Sequence, residues 1–155
     1  AYLMPAPLFA DTSKDRDVLL GQTMLRAAFA RMDRVTLAVV GIGDLGSSAE
    51  VLEAERGGPS LVRALRRDGA VAEILGQFLD AEGNIMETPL DGRNISLPLQ
   101  DLLGREVVAI AGGASKVGAI RAALKSGILT GLIIDEATAR SLVDGLEGAK
   151  AVAAE

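Results

Sequence analysis

Two hydrophobic periods run along the chain, one helical and one of short apolar blocks. From Asp15 to Met32, Val18, Leu25, Phe29 and Met32 recur at helical spacing, with Leu20, Met24 and Ala28 beside them, so the stretch predicts a first helix. Thr12 and Ser13 can cap it, and Asp15 and Asp17 complement its positive start. Arg34 to Gly41 then carries Val35, Leu37, Val39 and Val40, a β-branched run closed by glycine, which predicts a strand buried on both faces. Ser47 to Ala54 reads as a short helix. Gly57-Gly58-Pro59-Ser60 breaks the chain and opens another, with Pro59 near the first helical position, Leu61, Ala64 and Leu65 on one side and Gly69 as the stop.

The middle is hairpin-like and the end is regular. Ile74 to Leu79 predicts a strand, Asp80 to Asn84 a turn, and Ile85 to Thr88 a partner pairing back. Asn94 to Leu97 reads as a short strand and Leu99 to Leu103 as a helical turn. Glu106 to Ala111 is a buried-strand pattern, Gly112-Gly113 turns the chain, and Ser115 to Lys125 predicts a helix with Val117, Ile120 and Leu124 inward, stopped by Gly127. Leu132 to Ile134 predicts a strand, and Asp135 caps a last helix that carries Ala139, Leu142 and Val143 and stops near Gly145. Strand, helix, strand, helix in close order implies a right-handed βαβ unit in a mostly parallel, Rossmann-like sheet.

Composition narrows the chemistry. The 155 residues suffice for one domain. Aromatics are 3%, so the core must be aliphatic. With neither Cys nor His, disulfides, thiolate zinc sites, Cys nucleophiles, Ser-His-Asp triads and His bases are excluded. A net charge of -5 gives no bulk attraction for nucleic acid. Ala1 to Ala10 lacks a basic start and holds two prolines, unlike a signal peptide, and no uncharged apolar run is long enough to span a bilayer. The expected location is cytoplasmic, with no membrane partner. The chain does not begin with Met and reads as cut from a longer protein.

Two glycine-rich turns could hold a ligand. Gly41-Ile42-Gly43-Asp44-Leu45-Gly46 follows a strand and matches the dinucleotide fingerprint G-x-G-x-x-G. Asp44 sets a negative charge where pyrophosphate would lie, and the position about 20 residues on, where an acid is needed, falls in the Gly57-Gly58-Pro59 break. A sheet-edge turn shaping another pocket, or a purely structural turn, competes with NAD binding. Gly112-Gly113-Ala114-Ser115-Lys116 ends a buried strand and opens a helix, where open α/β sheets take ligands. Lys116 opposes the helix dipole unless an anion sits there; the competing reading is that it points to solvent. Asp80 to Asn84 lacks the glycine spacing of a calcium loop, and for Asp135 the cap role suffices. Glu73 and Arg56 lie near predicted sheet edges.

The ordered set of motifs resembles the effector-binding domain of SorC-type (also called DeoR/CggR-like) bacterial sugar-responsive transcriptional regulators. The matching pieces are Pro5-Ala6-Pro7-Leu8; Val40 to Gly43; Gly69 to Glu73 leading to Gly76-Gln77-Phe78-Leu79-Asp80; Gly92-Arg93; Ala109 to Gly113 with Lys116 and Ala119-Ile120; and Ile133-Ile134-Asp135-Glu136 with Ala139. They run from about residue 2 to about residue 146. The resemblance implies a Rossmann-like α/β fold akin to ribose-5-phosphate isomerase, glucosamine-6-phosphate deaminase and CoA-transferases, holding a sugar or phosphosugar without catalysis or cofactor. It further implies a homo-oligomer, dimer or tetramer, and operator binding only through an N-terminal helix-turn-helix that this sequence lacks, along with the first part of the effector domain. Residues 1–155 would then be the later part of that domain. By the same resemblance Lys116 approaches the effector, Gly112 and Gly113 form its turn, Glu73 is the effector-contacting acid, Gly43 and Asp44 lie at the mouth of the crevice, and Arg56 is a basic contact across a variable stretch. Ala72 departs from the Gly-Asp or Gly-Glu that many members carry. A phosphosugar isomerase or deaminase of the same fold, with Glu73, Asp44 or Asp80 as base, is the enzyme alternative, and a dinucleotide-binding domain the other.

Overall fold

The computed structural model describes residues 3–46 and 59–152, and side-chain surroundings over 3–46 and 60–144. The strands are β1 (Leu37–Gly41), β2 (Gly43–Asp44), β3 (Ala72–Ile74), β4 (Gln77–Leu79), β5 (Ile85–Met86), β6 (Glu106–Ile110) and β7 (Gly131–Ile133). The helices are α1 (Ser13–Gly21), α2 (Thr23–Met32), α3 (Pro59–Arg67), α4 (Val117–Lys125) and α5 (Glu136–Val152). One sheet is three-stranded and parallel in the order β1-β6-β7; the other is four-stranded and antiparallel in the order β2-β3-β4-β5. The expected parallel β-α-β unit is β6-α4-β7.

The antiparallel sheet separates two cores. Leu79 on β4 joins Ala72 and Ile74 in a cluster with Val40, Val107, Ala109, Ile120 and Leu99. Its neighbour Phe78 points the other way, into a cluster with Phe9, Leu45, Val62, Leu65 and Leu90 beneath α3. This is the period-2 rule of a strand, with both faces buried because each has its own layer.

Several elements differ from expectation for identifiable reasons. The first helix is two: Gln22 takes an extended conformation, its N–H bonding the Leu19 carbonyl, and the chain restarts at Thr23. Gln22 caps α2 without a side-chain bond. Ile74 to Leu79 is not one strand, because Leu75 (φ 51°) and Gly76 (φ 75°) form a two-residue turn between β3 and β4. Both dihedrals match the type I′ hairpin turn, whose residues are commonly Asn and Gly, so the Leu hid the signal. Asn94 to Leu97 contributes only an isolated antiparallel bridge, Asn94 to Phe9. Leu124 is exposed rather than inward. The last helix passes Gly145 and ends at Val152, since glycine weakens a helix by only about 1 kcal/mol.

β1 and β6 do not bury both faces. Val40, Val107 and Ala109 are buried, while Leu37, Val39 and Ile110 are 47%, 60% and 52% exposed, and Ile133 on β7 is 57% exposed. The inner face packs on α4 and the hairpin sheet; the outer face is open.

Candidate functional site

The candidate residues gather at the C-terminal end of the parallel sheet, where β1 and β6 release the chain. After Gly41 the chain passes through buried Ile42 into β2, so Gly41 and Gly43 lie in strands rather than in a turn that opens a helix. The dinucleotide fingerprint needs its glycines at a strand-to-helix turn, so the spacing match at Gly41 to Gly46 does not build one. Asp44 is buried and accepts the Gly46 N–H at 2.5 Å. The Arg66 guanidinium, from α3, donates to the carbonyls of Leu45 and Gly46 and braces the same turn.

Gly43 pairs with Glu73 across β2 and β3. A Cβ on Gly43 would stand 2.7 Å from Glu73 Oε2, so the missing side chain is what admits the carboxylate. Glu73 Oε1 accepts the N–H of Gly76 and holds the Leu75-Gly76 turn. One carboxylate oxygen is thus engaged by the hairpin and the other lies over Gly43.

Lys116 sits in a 3-10 turn, Ala114–Lys116, that leads into α4. Its ammonium does not simply point to solvent: Nζ donates to the Ile42 carbonyl at 2.9 Å, from a part-buried position. An ammonium has three donors, so two remain for a ligand. Lys116 therefore joins the end of β6 to the β1-β2 junction, at the residue before Gly43, which pairs with Glu73.

Gly112 and Gly113 have a role that sequence reasoning did not assign. A Cβ on Gly112 would meet Asp135 Oδ2 at 2.5 Å, and the Gly113 N–H bonds Thr138 Oγ1 at 2.8 Å and Asp135 Oδ2 at 3.2 Å. The glycine turn is thus clamped by the start of α5, and the Gly113 N–H is committed to protein. Asp135 also caps α5 as expected, accepting the Thr138 N–H at 2.9 Å and the Thr138 hydroxyl at 2.6 Å. The Thr138 hydroxyl and N–H and the Gly113 N–H hold the Asp135 carboxyl below its ordinary 3.8. Thr138, buried, was missed; the signal was its place three residues after a capping Asp. Arg66 left no sequence signal. Arg56 and the short helix read over Ser47 to Ala54 lie outside the described residues.

The Asp80 turn is structural. Its carboxylate accepts the N–H groups of Glu82 and Asn84 and the Asn84 side-chain amide, and these bonds lower its pKa. A cavity of about 350 Å³ bounded by Arg16, Gln77, Asn94 and Gln100 does not include Lys116 or Glu73. Among the described residues, no group of three His, Cys, Asp or Glu is placed to hold a metal ion, and no helix is long and apolar enough to cross a membrane.

Against known proteins, the profile of the family described as "Putative sugar-binding domain" matches residues 1–144. The chain belongs to this family. The sugar-binding domain is 43% identical over 143 residues to the erythritol catabolism regulatory protein EryD of Brucella abortus, covering 92% of this chain and 45% of that protein. It is 31% identical to the transcriptional regulator LsrR of an Enterobacter species, covering 91% of this chain and 45% of the relative. The chain therefore spans a little under half the length of these curated relatives. Among solved structures, a sugar-binding domain of a transcriptional repressor from Vibrio fischeri superposes with a TM-score of 0.81 at 26% identity, over 92% of this chain and 58% of that one. The full-length sorbitol operon regulator SorC of Klebsiella pneumoniae shares the fold, with a TM-score of 0.83 at 22% identity over 91% of this chain and 46% of that one. The resemblance to SorC-type regulators is borne out, as is the α/β class with a parallel sheet that helix α4 flanks on its inner face. These relatives are named as regulators, which does not favour an isomerase or deaminase.

Proposed function

We propose that the chain is the later part of an effector-binding domain, and that the rim formed by Lys116, Gly43 and Glu73 takes a sugar or phosphosugar. The observation that carries the reading is the Lys116 ammonium held by the Ile42 carbonyl beside the Gly43–Glu73 pair. A cation with two spare donors suits a phosphate or a hydroxyl oxygen, and an oriented carboxylate suits sugar hydroxyls. Asp44, Gly112 and Gly113 shape the rim, and Arg56 is a further contact. The chemistry is recognition, with no catalysis and no cofactor. In the whole protein, cytoplasmic and homo-oligomeric as a dimer or tetramer, effector binding changes operator affinity through a separate DNA-binding module; an acidic chain of net charge -5 has no such role itself.

The test is a thermal-shift panel of phosphosugars, free sugars, polyols including erythritol, and NAD, with Lys116→Ala and Glu73→Gln beside the unmodified chain. Ligand at about 100 times its Kd adds about 2.7 kcal/mol, a shift of roughly 8 °C for a domain of this size. A shift with one sugar or phosphosugar that both variants abolish is expected. A shift with NAD alone, or a sugar shift that survives in both variants, overturns the reading.

A further inference from the structure

The Leu75-Gly76 turn joins the ligand rim to a segment that the proposed site does not use. The Leu75 C=O and the Gly76 N–H belong to one planar trans peptide, so they point in opposite directions. The N–H end is taken by Glu73 Oε1. The C=O end accepts from Asn94 Nδ2 at 3.0 Å and from Ser96 Oγ at 2.5 Å. The Phe9 ring lies against the same turn: a Cβ on Gly76 would stand 2.6 Å from Phe9 Cζ. Phe9 in turn forms the isolated bridge to Asn94. That bridge is fastened by the Ala10 N–H to the Arg93 carbonyl and by the Ile95 N–H to the Leu8 carbonyl, each at 2.9 Å. Residues 4–10 are thus a strap attached at the C=O end of the peptide whose N–H end Glu73 holds.

This peptide has two allowed orientations. Hairpin turns of types I′ and II′ share a positive φ at the first central residue and differ in the sign of φ at the second. Leu75 (φ 51°) and Gly76 (φ 75°) are in the first form. Rotating the peptide between them gives the second, and glycine takes either sign of φ readily. In the second form the Leu75 carbonyl would face Glu73, and a carboxylate, which only accepts, repels it. The ionised Glu73 therefore holds the first form, and with it the acceptor that Asn94 and Ser96 use. The strap has room to respond: cavities of about 410 and 290 Å³ lie along it, both lined by Pro7 and Leu8. We propose that the Leu75-Gly76 peptide is a two-state relay, by which the hydrogen bonding of the Glu73 carboxylate sets how firmly the strap is docked. The inference deepens the reading of Glu73 as an effector contact. A sugar hydroxyl that draws on the carboxylate loosens its hold on Gly76, and by reciprocity a released strap weakens the site. The relay is testable without any sugar, so it and the sugar reading can fail separately.

Amide hydrogen exchange, resolved by NMR in the 155-residue chain, reads both ends. Glu73→Gln keeps the side-chain size, but its amide can donate to a flipped carbonyl, so both orientations become accessible. The amides of Ala10 and Ile95 are expected to exchange about tenfold faster in this variant. Phe9→Leu, altered at the strap end, should speed the Gly76 amide by a similar factor. Val107→Ala, in the main core on β6, is the control for a loss of overall stability. Strap amides that gain no more in Glu73→Gln than in Val107→Ala overturn the relay. So does a Gly76 amide that Phe9→Leu speeds no more than Val107→Ala does. The Glu73→Gln comparison decides alone if Phe9→Leu does not fold.

Discussion

Gly76 ties the fold to the site, and replacing it with Ala has a calculable consequence. Its N–H holds the Glu73 carboxylate, and its φ is +75°. A Cβ there would stand 2.6 Å from Phe9 Cζ and 2.9 Å from Asn94 Nδ2. Both neighbours are buried, and the Asn94 amide is committed to the Leu75 carbonyl at 3.0 Å, so neither moves aside freely. The left-handed backbone costs an L-residue about 1–2 kcal/mol, and Ala recovers about 0.4–1 kcal/mol by narrowing the unfolded ensemble. Overpacking adds about 1–3 kcal/mol. The net spans about 1–4.6 kcal/mol and centres near 3, or roughly 9 °C in Tm at about 3 °C per kcal/mol for a domain of this size. Gly69→Ala is the internal control: its φ is +100° but its Cβ would meet nothing within 4 Å. That variant should lose only about 1 kcal/mol, or roughly 3 °C. Both are measured by urea and thermal unfolding. If the two melt within a degree of each other, the close approach of Phe9 and Asn94 is not what constrains the turn.

Packing depth should separate the two faces of the chain. Leu99→Ala, in the main core, should cost about 2–5 kcal/mol in urea unfolding, while Ile133→Ala on the open face should stay within about 1 kcal/mol; equal losses would contradict the open face. Removing the Lys116 ammonium by Lys116→Met should cost about 0.5–3 kcal/mol without any ligand, because the Ile42 carbonyl loses a charged donor; an unchanged midpoint would deny that bond. Asp135 and Asp80 are held below their ordinary pKa by hydrogen bonds to the ionised form. Their stabilisation is therefore full above about pH 4 and is lost as pH falls through the lower folded values. Thr138→Val, which removes one of the bonds that lower Asp135, should flatten the Tm decline below about pH 4; an unaltered acid limb would refute that cause.

Sequence by itself settled what local chemistry decides. The β-branched runs at Val39-Val40 and Val107-Val108 and the Gly112-Gly113 turn before a helix were enough for a parallel β-α-β unit, and the motifs from Ala109 to Lys116 and Ile133 to Glu136 were enough for the family. Asp135 was legible as a cap because capping is a property of four consecutive residues. Tertiary structure decided the rest. The Leu75-Gly76 turn escaped because a leucine with positive φ is held there by distant partners, its carbonyl bonded to Asn94 and Ser96. Gly43 and Gly112 looked like room for a ligand, but Glu73 and Asp135, each 20 or more residues away, fill that room. Periodicity cannot say which apolar face of a strand is covered, since coverage depends on what packs against it. That is why Val39 and Ile110 read as core and stand on an open face.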